Sequence, residues 1–326
     1  MIKTIGQGGT TMLRFGIEML QRSLLIEMAM PLLAQQKSTA QPGLPSADAA
    51  VLVERIADLG FTLIELNTDL NVFFPDSFGV PTIRRLQALK ESRGLSYTVH
   101  LPLWSVEPST PVQWVREGSV EALVDAVLRL SSLEPEVYVL HATGALAAEF
   151  YTMAAIPEQG RPLVLGTFQT HAAHSVEELL RRTKLPSRAI AVETIEFPFE
   201  LTLALAEEFD LSLCFDTGHV LARYPGPVAF EEALQKSLPR LAEVHLHDAY
   251  YRPQPDGTFR RDDHLPLGEG DLPLDFLLDT LEEANFQGPV IFELTIEEAR
   301  ASLDYLRPFL TKRWPHLEQG HGGEQE

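Results

Sequence analysis

Eight short runs of apolar and β-branched residues recur along the chain, separated by longer stretches whose apolar positions repeat at helical spacing. The runs cover residues 12–18, 61–66, 95–100, 136–141, 188–193, 211–216, 241–247 and 288–293. The amphipathic stretches cover 47–59, 112–133, 175–184, 198–209, 228–237, 273–285 and 296–309. Strand-like runs alternating with helices predict a parallel sheet. Eight of them favour closure into a (β/α)8 TIM barrel over an open doubly wound α/β sheet. No glycine-rich phosphate fingerprint follows the first run, which argues further against a dinucleotide fold. The length of 326 residues suits one such barrel, which needs roughly 250 plus insertions. A single domain is expected over 1–310, with 311–326 as a mobile tail and 31–46 as an irregular loop.

Composition narrows the setting. Cys214 is the single cysteine, so no internal disulfide can form and a reducing, cytoplasmic compartment is expected. Arg14, Glu18, Arg22 and Glu27 interrupt the apolar N-terminal stretch, so it reads as neither a secretory leader nor a membrane span. With 26 Lys and Arg against 46 Asp and Glu, the formal charge is −20. Nucleic-acid binding depends on neutralising phosphates, so this balance disfavours DNA as a partner. A local basic patch would escape that argument.

The chemistry lies in how the runs end. Six end in groups that can bind a metal: His100, His141, Glu193, Asp216, the pair His245 and His247, and Glu293. The C-terminal ends of barrel strands form the mouth where active sites sit, so these groups converge. One histidine after a strand is more often a loop or core residue than a ligand. Six such ends together point to zinc, manganese or a similar divalent ion. Two motifs add donors. DTGH (216–219) places Asp216 and His219 just past the sixth strand. In RRDDHLPLGEGDLP (260–273), Asp262 and His264 share a side if the segment is extended; a solvated charged turn is the plain alternative.

With DTGH, VHLHD and DHLPLGEG added to these strand ends, the chain from about residue 12 to residue 309 resembles the xylose-isomerase-like superfamily. That group includes the family 2 apurinic/apyrimidinic endonucleases and many sugar isomerases and epimerases. The resemblance to the endonucleases implies up to three ions, with zinc the first candidate and manganese, iron or cobalt also suited. His100, His141 and Glu193 would hold one. Glu193 would bridge to a second, completed by Asp216, His245 and Glu293. His219, Asp262 and His264 would hold a third. The chain departs from the DNA enzymes after Glu193 (TIEFPFE), after His141 (ATGAL), and in the loop NTDLNVFFPDSFGVP, which carries no basic residue. The stretches SYTVHLPL, EVYVLH and LSLCFDTGH are similar to those of cobamide-remodelling hydrolases.

The resemblance implies metal-dependent hydrolysis of a phosphodiester, in a cobamide nucleotide loop or in abasic DNA. Glu193, Glu293 and His219 would sit closest to the reaction. A single-ion sugar isomerase or epimerase is the alternative; there Glu193 and Glu293 exchange a proton with substrate. A barrel that binds without catalysis is the third possibility. Arg260 and Arg261 are candidates for a substrate phosphate. Trp104, Tyr250, Phe73, Phe74 and Tyr251 are candidates for stacking on a flat substrate. His247 reads as a support behind the ligands, Glu65 as a substrate or loop contact, and His171 and His174 as surface residues. Cys214 is expected in the packing around the barrel, outside the site-facing alternation.

Overall fold

The computed structural model describes residues 13–21, 26 and 48–314. Ten strands run in chain order: β1 (Arg14–Glu18), β2 (Leu63–Asn67), β3 (Ser96–His100), β4 (Tyr138–Leu140), β5 (Ile190–Glu193), β6 (Ser212–Asp216), β7 (Leu241–Leu246), β8 (Asp248–Pro253), β9 (Phe259–Leu265) and β10 (Pro289–Phe292). Eight of them close a parallel barrel in the order β1-β10-β7-β6-β5-β4-β3-β2. The eight expected runs are these eight strands. The expected irregular loop at 31–46 lies outside the described residues.

Helices cover the barrel because each offers one apolar stripe. In Ala49–Asp58 the buried residues are Ala49, Ala50, Leu52, Val53 and Ile56, a 3.6-residue rhythm, and the Asp48 side chain caps the Ala50 N–H. The last helix, Ile296–Arg313, opens on a capping box between Thr295 and Glu298. It runs past the expected tail boundary at 311. Arg313 anchors it to Asp275 and Asp279, and Trp314 is buried, so the final turn is docked. Residues 315–326 lie outside the described residues.

Side chains alternate along each strand, so every second residue enters the barrel. At Gly16 of β1 an added Cβ would lie 2.6 Å from Leu63 and 2.7 Å from Ile291, so only glycine fits that layer. Val137, Val139, Ala191 and Cys214 form a second small cluster inside. Cys214 is therefore corrected: it lies two residues before Asp216, shares its side, and points into the barrel. The next step of the same alternation brings Glu18, Asn67, His100, His141, Glu193, Asp216, His245 and Glu293 to the mouth.

β8 and β9 are an antiparallel hairpin outside the barrel. Register pairs Tyr250 with Asp262, Tyr251 with Arg261 and Arg252 with Arg260. One hairpin face thus carries Tyr250, Arg252, Arg260 and Asp262. The other carries Tyr251, Phe259, Arg261 and Asp263. Among the described residues no helix is long and apolar enough to cross a membrane.

Candidate metal centre

Glu193 sits at the centre of the mouth. Its Oε2 lies 3.3 Å from His100 Nε2 and 2.9 Å from His141 Nε2. His100 Nδ1 is 2.9 Å from the Leu101 carbonyl, to which it donates, leaving Nε2 free to face the carboxylate. On the other side, His245 Nδ1 lies 3.2 Å from Glu293 Oε1, 3.7 Å from Glu193 Oε2 and 3.8 Å from Asp216 Oδ2. The sets His100–His141–Glu193 and Glu193–Asp216–His245–Glu293 each bring one donor atom per residue within 4.8 Å. Six of the expected ligands are thus brought together in two groups that share Glu193.

His219 and His264 close the site from the side. His219 Nδ1 is 3.2 Å from Glu193 Oε1 and 3.4 Å from Asp216 Oδ2, and its backbone N–H is capped by Asp216. His264 Nε2 is 3.5 Å from Glu293 Oε2. His219, His247 and His264 form a third group of nitrogens within 4.8 Å. Asp262 does not join it. It lies exposed on β9, and its Oδ1 accepts from the Asp263 N–H. Asp263 is the carboxylate beside His264, at 3.4 Å from Nδ1.

So many carboxylates in one dry place raise the basicity of the histidines. Burial opposes a charge on His100, but Glu193 and Glu65 outweigh it and push its pKa up to about 10. Burial is likewise outweighed at His219, raised to about 9 by Asp216 and Glu193. It is outweighed again at His264, raised to about 11 by Asp263 and Glu293. Glu193 and Glu293 are held well below the usual carboxylate range: burial works against this, but the histidines around them prevail. The arrangement holds carboxylates charged and aims cations at them, which is what a divalent ion would replace. Both ring nitrogens of His245 lack a hydrogen-bond partner, although the residue is fully buried.

The local motifs have structural reasons. Gly218 of DTGH has no room for a Cβ, which would lie 2.0 Å from the His247 ring. Thr217 Oγ1 donates to the His247 carbonyl at 2.7 Å, fastening the start of the short helix Thr217–Leu221 to the end of β7. In HLPLGEGDLP the buried Asp248 accepts from the N–H groups of Gly268, Ala249 and Leu272, each at 2.9 Å. Gly268 has φ +92°, and a Cβ on Gly270 would meet Asp248 at 2.3 Å. The motif thus folds the loop that follows His264.

The expected substrate residues are more scattered. Arg261 is ion-paired with Glu196 at 3.0 Å and lies 4.2 Å over the Tyr224 ring, so its charge is matched within the protein. Arg260 is exposed and has no acidic partner among the described residues. Tyr250 lies beneath Arg252, and Trp104 meets Phe73 edge-on at 5.5 Å on the opposite rim. Both rings of that pair are about half exposed, at 45% and 50%. Phe74, in contrast, is buried. His171 and His174 lie together on the helix Arg161–Thr183, away from the strand ends.

Glu18 and Glu243 escape a reading of strand-end residue types, and Glu65, expected as a substrate or loop contact, lies buried beneath the mouth instead. Glu18 ends β1 and accepts from Asn67 at 2.6 Å; burial, Glu293 and Glu65 push its pKa up to about 8. Glu65 and Glu243, both fully buried, meet one layer below the mouth. Thr98 Oγ1 donates to Glu243 at 3.1 Å, and His245 Nε2 lies 3.4 Å from Glu65. Burial and Glu65 raise the Glu243 pKa well above its usual range. The signal for this layer was present: Glu65 and Glu243 are acids at the interior phase of strands.

The model of the Xylose isomerase-like TIM barrel family matches residues 53–309. An uncharacterized protein of Methanocaldococcus jannaschii is 25% identical over 240 residues, 70% of this chain and 74% of that one. A D-tagatose 3-epimerase-like protein superposes with a TM-score of 0.63 at 20% identity, covering 92% of this chain and 98% of the other. Endonuclease IV from Thermus thermophilus gives 0.60 at 20% identity, covering 92% and 99%. L-ribulose 3-epimerase gives 0.62 at 15%, covering 97% and 100%. At these identities the solved structures speak for the fold.

Proposed function

Because the chain belongs to the xylose isomerase-like TIM barrel family, we propose that its mouth is a multinuclear divalent-metal centre that hydrolyses a phosphodiester. His100, His141 and Glu193 would hold one ion, with Glu193 bridging to a second held by Asp216, His245 and Glu293. His219 and His264 would hold a third, with Asp262 as the carboxylate once it turns inward from its exposed position. Zinc is the first candidate; manganese, iron and cobalt suit the same donors. The donors fit such ions because buried imidazoles and carboxylates face one another with His245 otherwise unpartnered. Bound there, the ions would supply Lewis-acid polarisation of the phosphoryl group and lower the pKa of an attacking water.

The protein's own groups do the rest. Glu193 and Glu293 gather the histidines around one opening and hold their own negative charge there. His219 and His264 stand on the side of the hairpin, where charge on a leaving oxygen would be met. Arg260, exposed and without an acidic partner among the described residues, is placed to receive an anionic group, and Phe73 and Trp104 offer a flat apolar edge. Arg261 and Tyr250 would shape the same rim.

The observation that carries this reading is the histidine pairs on both flanks of the four-residue set. A single-ion sugar isomerase or epimerase uses the middle set and has no task for the flanks. That second reading rests on Glu193 and Glu293 facing one His245, as a proton-exchanging pair would. Incubating the protein, loaded with zinc or manganese, with bis(p-nitrophenyl) phosphate, abasic DNA, a cobamide and a panel of ketohexoses separates the two. Release of p-nitrophenol or cleavage of either phosphodiester supports the hydrolase. Epimerised sugar with no phosphodiester cleavage supports the isomerase and defeats the proposal.

A further inference from the structure

His247 follows β7, is fully buried, and meets both halves of the site. Its Nδ1 lies 2.8 Å from the backbone nitrogen of His264. Its Nε2 lies 3.0 Å and 3.1 Å from the two oxygens of Asp216. A backbone N–H can only donate, so Nδ1 accepts and the ring proton sits on Nε2, which donates to Asp216. The Asp248 carbonyl is 3.4 Å from Nδ1 and would ask for the opposite tautomer. The contact to His264 is much shorter and its donor is unambiguous, so it decides. With one nitrogen accepting and the other donating, no lone pair is left for an ion. His247 is near His219 and His264, yet it is not a third ligand beside them.

We propose that His247 is a positioning residue that couples the seating of the β8–β9 hairpin to the orientation of Asp216. This rests on the reading of the mouth as a metal centre. Three further observations support it. The ring fills the space left by Gly218, where a Cβ would lie 2.1 Å from Nδ1. The His264 ring stacks on it at 4.2 Å with an 11° tilt. His264 has φ +52°, a backbone region that non-glycine residues seldom occupy. The bond from its N–H to His247 is what holds it. A shift of the hairpin therefore moves the His247 ring and removes one of the two donors on Asp216, leaving its orientation to His219. Groups that orient metal ligands from behind are typically worth about 10–100-fold in metal affinity.

The test uses the full chain with His247→Phe and His247→Gln. Phenylalanine fills the slot on Gly218 and stacks on His264 but makes neither bond. Glutamine offers one amide oxygen to accept and one N–H to donate, so it can rebuild both. Two readouts are taken: hydrogen exchange of the His264 amide without metal, and Zn2+ affinity by competition with a chromophoric chelator. In His247→Phe, exchange should quicken at least about tenfold and affinity fall by about 10–100-fold. In His247→Gln both should return toward wild type. Unchanged exchange and affinity in His247→Phe would overturn the proposal. Loss of one bound ion per chain in His247→Gln would overturn it too, by making His247 a ligand. If His247→Phe does not fold, His247→Leu, which likewise makes neither bond, takes its place under the same criteria. Wild-type protein that binds no Zn2+ defeats the metal-centre reading instead, and the His264 amide then tests the backbone half of the coupling alone.

Discussion

Metal binding here should expel protons, and the number can be worked from the mouth. In the metal-free chain His100, His219 and His264 have pKa values of about 10, 9 and 11, and His245 is raised well above the usual histidine value. At pH 7.5 each holds a proton that a coordinating imidazole must give up. Filling the sets that contain these four residues should release about three to four protons per chain at pH 7.5. Each displaced proton costs about 1.4 kcal/mol per pH unit below the histidine's pKa, a factor of ten in affinity. The stability of the metal-free fold responds to pH in the opposite direction. A histidine with a raised pKa stabilises the metal-free fold fully below the unfolded value of about 6.5, and that contribution is lost as pH rises through about 9 to 11. Metal should therefore stabilise more as pH rises from 6 to 9. Calorimetric titration of Zn2+ in two buffers of different ionisation enthalpy counts the protons directly. Release of fewer than one proton, with an affinity flat from pH 6 to 8, would refute the placement of these histidines as ligands.

Further outcomes follow from single substitutions. Glu193→Gln removes the carboxylate shared by two sets and should abolish tight binding of at least one ion, seen as metal content after gel filtration. Retention of the full complement would show that Glu193 does not bridge. Gly218→Ala drives a methyl into the His247 ring and should cost about 1–3 kcal/mol, read as a lower denaturation midpoint. Glu243→Gln replaces an acid that burial and Glu65 push toward its neutral form with a neutral amide of the same shape. The metal-free melting temperature at pH 7.5 should not fall, since the amide keeps that shape with no charge to desolvate; a drop of several degrees would contradict it. Arg261→Met removes the stack on Tyr224 and the pair with Glu196. Amide exchange within Phe259–Leu265 should quicken while exchange in the barrel strands stays unchanged.

The barrel was legible because each of its strands is buried on both sides and reads as a short apolar run. The mouth was legible because strand alternation delivers the last polar residue of each run to one end. The hairpin was hidden for the opposite reason. Both its faces touch solvent, so RRDDH and DAYYRP show no clean alternation and read as a charged loop. The helix Val80–Arg93 was missed because its apolar residues, such as Ile83, Leu86 and Leu89, are spread among charges. The helix Arg161–Thr183 begins fourteen residues before the expected 175, since its first turns carry Pro162, Gly166 and two threonines. Cys214 was misplaced by one step of register, although Asp216 two residues on fixes its side. Asp262 against Asp263 turns on a positive φ at His264, which residue types alone do not reveal.

In the proposed centre the flanking histidines hold ions of their own. The most direct measurement is metal content of untagged, natively purified protein by plasma mass spectrometry, with His264→Ala purified alongside. The account predicts about three divalent ions per chain, falling by about one in the variant. A single ion, unchanged in His264→Ala, would contradict it and leave only the middle set at work.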